Sequence, residues 1–244
     1  MRSSLKSFLK TIFGRLKPAV IDTLPASPKL LIFDFDGTIA DTFEAGYEIF
    51  NKLADELGYR QVNREELQQL RAMSTLEALR FTNIPLRRMG KVAQRGCQEL
   101  VSRIDGILPF PSAAETLHEL HRRGFRLGII TSNTRENVRR FLYNHGLEIF
   151  EFVWSSAMVL GKTREICNVL RHHELHQGEV ILIGDETRDV EAAQSAGIPV
   201  IAIASGYATR ATLEKTRPTV LVDTFSELLP LLAPLAPSAA WNCE

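Results

Sequence analysis

Apolar and polar positions along this chain follow two different periods. Residues 30–35, LLIFDF, form an apolar run with no helical stripe, flanked by Pro28 and Gly37. Isoleucine and phenylalanine mixed with leucine predict a strand buried on both faces. From Thr42 to Leu57 the spacing turns helical: Phe43, Tyr47, Phe50, Ala54 and Leu57 share one face, and Gly58 closes it. Asn63 is placed to cap a short helix through Leu70, Ser74 another through Phe81, and Pro85 opens a longer one to about Arg103. Residues 111–123 predict a helix closed by Gly124. Strands then follow at 125–131, 150–155, 179–184 and 200–204. Between them lie helices from Asn133 or Thr134 to His145, over 162–172, and over 187–196. Residues 219–222 add an edge strand and 224–232 a last helix, and no internal repeat is visible.

Strands alternating with helices imply an α/β fold: a doubly wound, parallel, Rossmann-like sheet with right-handed crossovers. A parallel crossover needs only about a dozen residues, which residues 111–123 already supply. The surplus helix over 42–107 is therefore expected to be a cap inserted after the first strand, with Gly106, Pro109 and Pro111 at its second hinge. The expected division is a catalytic core of 29–41 and 108–233, a helical cap of 42–107, an N-terminal extension of 1–28 and a frayed tail of 234–244.

Composition changes this picture little. With 244 residues, 45% hydrophobic and 24% charged, the chain is long enough for one large domain or a domain with a lid. Its 29 basic and 29 acidic residues balance, which argues against a nucleic-acid surface. Cys97, Cys167 and Cys243 are odd in number and lack CxxC spacing, so neither a disulfide framework nor a structural zinc site is expected, and a cytoplasmic setting is the default. Residues 1–17 stand apart. Leu5, Phe8, Leu9, Ile12, Phe13 and Leu16 share a helical face, and Arg2, Lys6, Lys10, Arg15 and Lys17 meet no acid before Asp22. Three readings stay open: a loosely packed helix, a helix in peripheral contact with an anionic membrane, or a targeting presequence.

Candidate chemistry gathers where strands end. Asp34 and Asp36 are two apart, so both are expected to project from the carboxyl end of the first strand, where open α/β sheets bind ligands. Two carboxylates in one crevice are costly without a cation or a shared proton. Later strand ends bring Thr131, Ser132 and Asn133, then Gly161 and Lys162, then Gly184, Asp185, Glu186 and Asp189. Such a set suits a magnesium ion and a phosphoryl group. Asp34 is placed as nucleophile and Asp36 as the acid and base on the leaving-group side. Amides from Phe35 through Asp36 and Gly37 to Thr38, with Ser132 and Asn133, would hold the phosphate, and Lys162 would offset its charge and steady Asp34.

DFDGT at 34–38, TSN at 131–133, GK at 161–162 and GDETRD at 184–189 resemble the four ordered motifs of the haloacid dehalogenase superfamily. The resemblance spans about residues 29–229 and is greatest to phosphoglycolate-phosphatase-like members. It implies Asp34 as nucleophile, Asp36 as general acid and base, Ser132 as phosphate ligand and Lys162 as the stabilising cation. Magnesium would be held by Asp34, the main-chain carbonyl of Asp36 and Asp185, with Asp189 assisting. The helical surplus would be a mobile cap closing over a small phosphorylated metabolite. Superfamily dehalogenases lack the second aspartate, so Asp36 favours a phosphatase or phosphomutase.

Other readings compete. A phosphomutase would return the phosphoryl group to a sugar, a receiver-like module would only hold it, and a membrane-tethered binding protein would not turn over. His172 and His176 are four apart but lack a companion carboxylate or cysteine pattern, so an exposed helix end is expected. Asp41 suits either a hinge or a helix cap, Glu186 a metal-bound water or a helix start. Arg71, Arg80, Arg87 and Arg88 are cap cations expected on the surface.

Overall fold

The computed structural model describes residues 23–155 and 161–237. The readings of residues 1–17, the end of the tail and Cys243 lie outside them. Six strands form one parallel sheet: β1 Leu30–Phe33, β2 Arg126–Thr131, β3 Phe152–Ser155, β4 Val180–Gly184, β5 Val200–Ile203 and β6 Val220–Val222. Their spatial order is β3-β2-β1-β4-β5-β6. The chain winds outward from β1 to β3, crosses back to β4 on the other side of β1, and winds outward again to the edge strand β6. The direction of winding reverses between β1 and β4, which makes the crevice at their carboxyl ends the binding position of this architecture.

Ten α-helices lie among the described residues. Five come between β1 and β2, and the first four of them form the insert: α1 Phe43–Leu57, α2 Arg64–Arg71, α3 Thr75–Phe81 and α4 Met89–Leu100. The others are α5 Ala113–Arg122, α6 Arg135–Asn144, α7 Lys162–His172, α8 Thr187–Ala196, α9 Arg210–Thr216 and α10 Leu228–Leu232. Alternate strand residues feed two separate cores. Leu31, Phe33, Ile129 and Ile183 pack with Leu117 of α5, Phe141 of α6 and Leu231 of α10. Leu30, Ile32, Ile130 and Leu182 face the opposite way, toward Ile166 of α7, Val190 of α8 and Leu213 of α9. Every residue of β1 is fully buried, as its continuous apolar run predicts.

Local signals in the insert decide where helices begin. Asn63 and Ser74 each form a reciprocal capping box, with Glu66 and Glu77 respectively. Gly58 ends α1 in the left-handed conformation at φ 66°. The helix expected from Pro85 begins as a short 3₁₀ turn, Leu86–Arg88, before α4. Helix α9 has no counterpart in the sequence expectation; it is capped by the Thr209 hydroxyl and buries only Thr212 and Leu213.

Two contacts seat the insert on the sheet rim. The Arg71 guanidinium donates to the carbonyls of Tyr207 (3.1 Å) and Gly206 (2.9 Å), and the Thr209 amide donates to the Arg71 carbonyl at 3.0 Å. On the opposite side Asn137 of α6 donates to the Cys97 carbonyl at 2.9 Å. No described helix is long and apolar enough to cross a membrane.

Candidate active site

Asp34 follows β1 directly, and its amide donates to the Ile183 carbonyl of β4 at 2.8 Å, which fixes it at the reversal of winding. Asp185 follows β4, and Asp189 lies in the first turn of α8. One carboxylate oxygen from each of these three lies within 4.8 Å of the others, and all three residues are at most 2% exposed. Lys162, first residue of α7, reaches in with Nζ 2.9 Å from Asp34 Oδ2 and 2.5 Å from Asp189 Oδ1. Asp189 Oδ2 accepts the amides of Asp185 (3.2 Å) and Glu186 (3.0 Å), so Asp189 closes the start of α8 while facing the lysine.

The surroundings of Asp185 are equally specific. Its Oδ1 accepts the Thr38 hydroxyl at 2.6 Å and its Oδ2 the Tyr207 amide at 2.7 Å. Gly37 turns the chain at φ 78°, and a Cβ on either Gly37 or Gly206 would collide with the Asp185 carboxylate. Both glycines are needed for the backbone to approach this side chain.

Charge in the cluster is unbalanced. Burial pushes the Asp34 carboxyl up to about 7 against the pull of Lys162. Burial, then Glu186 and the other two aspartates, raise Asp185 well above the carboxylate range. Burial alone would raise Asp189 as well, but Lys162 and Arg188 hold it below its ordinary value. Burial works to lower the Lys162 ammonium, and Asp189 and Asp34 more than offset it. Asp34 Oδ2 has no hydrogen bond and lies 2.9 Å from the Lys162 ammonium. Buried, mutually close carboxylate oxygens are the donor set a hard divalent cation takes, so the residues fit such an ion.

Asp36 goes elsewhere. The strand stops at Phe33, two residues short of the expected end, and the Asp36 carboxylate turns to Asn133, whose amide donates to Oδ1 at 3.0 Å and Oδ2 at 3.1 Å. Burial raises its carboxyl above the ordinary value, while bonds from Asn133 and Thr42 oppose the rise. Asn137 in turn holds Asn133 at 2.9 Å. The Asn133 side chain is thus taken up in positioning Asp36, and the Thr38 hydroxyl in positioning Asp185. The Phe35 amide donates to Asp34 Oδ1, Gly37 to the Ala40 carbonyl and Thr38 to the Phe35 carbonyl. Two donors of the expected phosphate-binding set make no such bond with a described residue: the Asp36 amide and the Ser132 hydroxyl, the latter on the cavity wall.

Three residues here escaped the sequence reading. Arg188 lies within GDETRD yet passes for a solvated helix residue; in the structure its side chain is 16% exposed, paired with Glu186, and its Nε is buried without a partner. Tyr207 and Gly206 sit in the loop after β5, where no motif marks them. Cys97 faces the Ser132 carbonyl, and burial pushes its thiol up to about 12. Arg80, Arg87 and Arg88 are exposed, as is Asp41. The His172 ring meets Trp154 tilted and His173 edge-on, and the one cluster of metal-ligating type among the described residues is the aspartate triad.

With this geometry in place, comparisons identify the family. The family model of haloacid dehalogenase-like hydrolases matches residues 31–203. A phosphoglycolate phosphatase of Synechococcus elongatus is 32% identical over 200 residues, covering 82% of this chain and 94% of that protein. One from Vibrio parahaemolyticus is 26% identical over 226 residues, covering 84% and 96%. Among solved structures, a haloacid dehalogenase-like family hydrolase from Streptococcus pneumoniae superposes with a TM-score of 0.65 at 21% identity, covering 85% of this chain and 98% of that one, a likeness of fold. The chain therefore belongs to the haloacid dehalogenase-like hydrolases, and it is a phosphatase among them.

Proposed function

We propose that this phosphatase is magnesium-dependent and hydrolyses a small phosphorylated metabolite through an aspartyl-phosphate on Asp34. What supports this most is the contrast between its two neighbouring aspartates. Asp34 lies among carboxylates with a buried lysine at 2.9 Å, while Asp36 stands apart, on the cavity wall, in a setting that favours its protonated form.

A carboxylate oxygen of Asp34 attacks phosphorus as the bond to the ester oxygen breaks on the opposite side. Asp36 gives its proton to the departing alkoxide. Asp36 then takes a proton from water as the water oxygen attacks the phosphorus of the aspartyl-phosphate. Inorganic phosphate leaves and Asp34 is restored. Lys162 offsets charge on Asp34 and the phosphoryl group, and the Ser132 hydroxyl and Asp36 amide donate to phosphoryl oxygens. Magnesium would be held by Asp34, Asp185 and the main-chain carbonyl of Asp36, with Asp189 assisting through Lys162 and the start of α8. When bound, it draws negative charge from the phosphoryl oxygens. Helices α1 to α4 act as a cap that opens to admit substrate and closes to exclude water.

The test is release of inorganic phosphate from a panel of phosphate esters, beginning with the phosphoglycolate named for the relatives, with magnesium or with chelator. Activity that requires magnesium and is absent from Asp34→Asn upholds the reading; activity unchanged in that variant refutes it.

A further inference from the structure

Above Asp36, Ser132 and Asn133 the insert and the rim line a partly open cavity of about 450 Å³. That lies within the range of about 300–1,000 Å³ typical of pockets for drug-sized ligands. Its wall away from the rim is apolar: Phe43, Tyr47, Phe50, Leu70, Leu79 and Met89 all line it. Two cations line it, and each is already paired, although the Arg188 Nε makes no hydrogen bond. Arg71 donates to the carbonyls of Gly206 and Tyr207, and Arg188 pairs with Glu186 at the rim. Of the other insert cations, Lys52 is tied to Glu99, Arg64 to Glu44, Arg95 to Glu56 and Arg103 to Glu48, Arg80, Arg87 and Arg88 are exposed, and none of these lines the cavity. A leaving group bearing a second anionic group would therefore enter a space whose two cations already have partners and which also holds Asp36 and Glu186.

From this we infer, on the reading of Asp34 as nucleophile, that the preferred substrates are phosphomonoesters of an apolar alcohol, alkyl or aryl, whose hydrocarbon part fills the cavity above Asp36. The phosphoryl end meets Ser132, Lys162 and the aspartates, and the hydrocarbon leaves water for the aromatic and aliphatic wall.

The experiment compares kcat/KM for ethyl, butyl, hexyl and octyl phosphate and for phosphoglycolate, and in parallel measures calorimetric binding of the same compounds to Asp34→Asn. Burial of a methylene group stabilises by about 0.8 kcal/mol, so kcat/KM rises about fourfold per added carbon until the cavity is full. Phosphoglycolate falls at least about tenfold below octyl phosphate. Gly96 lines the cavity and a Cβ there meets nothing within 4 Å, so Gly96→Leu has room to be accommodated in α4 while reducing cavity space. Its octyl-to-ethyl ratio falls. A rate independent of chain length, or phosphoglycolate as the best ester, overturns the inference. If no ester turns over, the Asp34 reading fails, and binding decides the cavity on its own. Octyl phosphate held more tightly than ethyl phosphate and phosphoglycolate upholds the inference, and equal binding overturns it.

Discussion

The sheet rim and the helical insert handle charge in opposite ways. At the rim, Asp34, Asp185, Asp189 and Lys162 are buried together, each held by named partners, and the backbone is shaped by glycines to admit them. In the insert, charged groups face water and pair across its outside, as Arg64 and Glu44 do at 62% and 54% exposure, while its interior keeps an apolar space. Buried charges in fixed geometry are what chemistry on a phosphoryl group requires, and an apolar chamber is what selection of a leaving group requires. On the proposed reading, one region is built for reaction and the other for choice.

Substitutions at the rim should have large effects and substitutions on the outer surface of the insert small ones. The largest is expected for Asp34→Asn, which removes the attacking oxygen and should lower kcat by at least about 10⁴-fold, read as phosphate release. Lys162→Met leaves buried carboxylates without their cation; urea unfolding in chelator should show a loss of about 3–5 kcal/mol. A pH effect follows from Asp34. Its carboxyl keeps its proton up to about 7 in the folded chain but loses it near the ordinary value of 3.8 when unfolded, so the folded state binds more protons in between. Metal-free protein should therefore lose stability as pH rises from about 4 to about 7, and magnesium should flatten that slope in thermal melts. Arg71→Ala removes two hydrogen bonds between insert and core, at about 1 kcal/mol each, and should speed hydrogen exchange at the Tyr207 and Thr209 amides. Arg64→Ala, on an exposed pair, should leave the thermal midpoint where it is. A large effect there, or none at Lys162, would erase the contrast.

Legibility in the sequence divides along the same line. Asp34, Lys162, Asp185 and Asp189 could be read because each stands at or just beyond a strand end that the apolar pattern marks, and parallel topology brings those ends to one rim. The separation of Asp36 from Asp34 could not be read, because it depends on the strand stopping at Phe33 and on Asn133 meeting the carboxylate. Arg188 and Tyr207 depend on how the first turn of α8 and the loop after β5 fold over the crevice. Helix α9 is short and polar, RATLEKT, with too few buried positions to set a period. The cavity was invisible for a different reason. Phe43, Tyr47 and Phe50 recur at helical spacing whether they pack a core or line a chamber, and they are only half-buried.

The central claim, turnover through Asp34, is tested most directly by quenching the enzyme in acid during steady hydrolysis with magnesium and mapping covalent phosphate by mass spectrometry. The account predicts one phosphoryl group on the peptide carrying Asp34, absent in Asp34→Asn and in chelator. Turnover with no phosphoryl group on that peptide, or with the group on another residue, would contradict it.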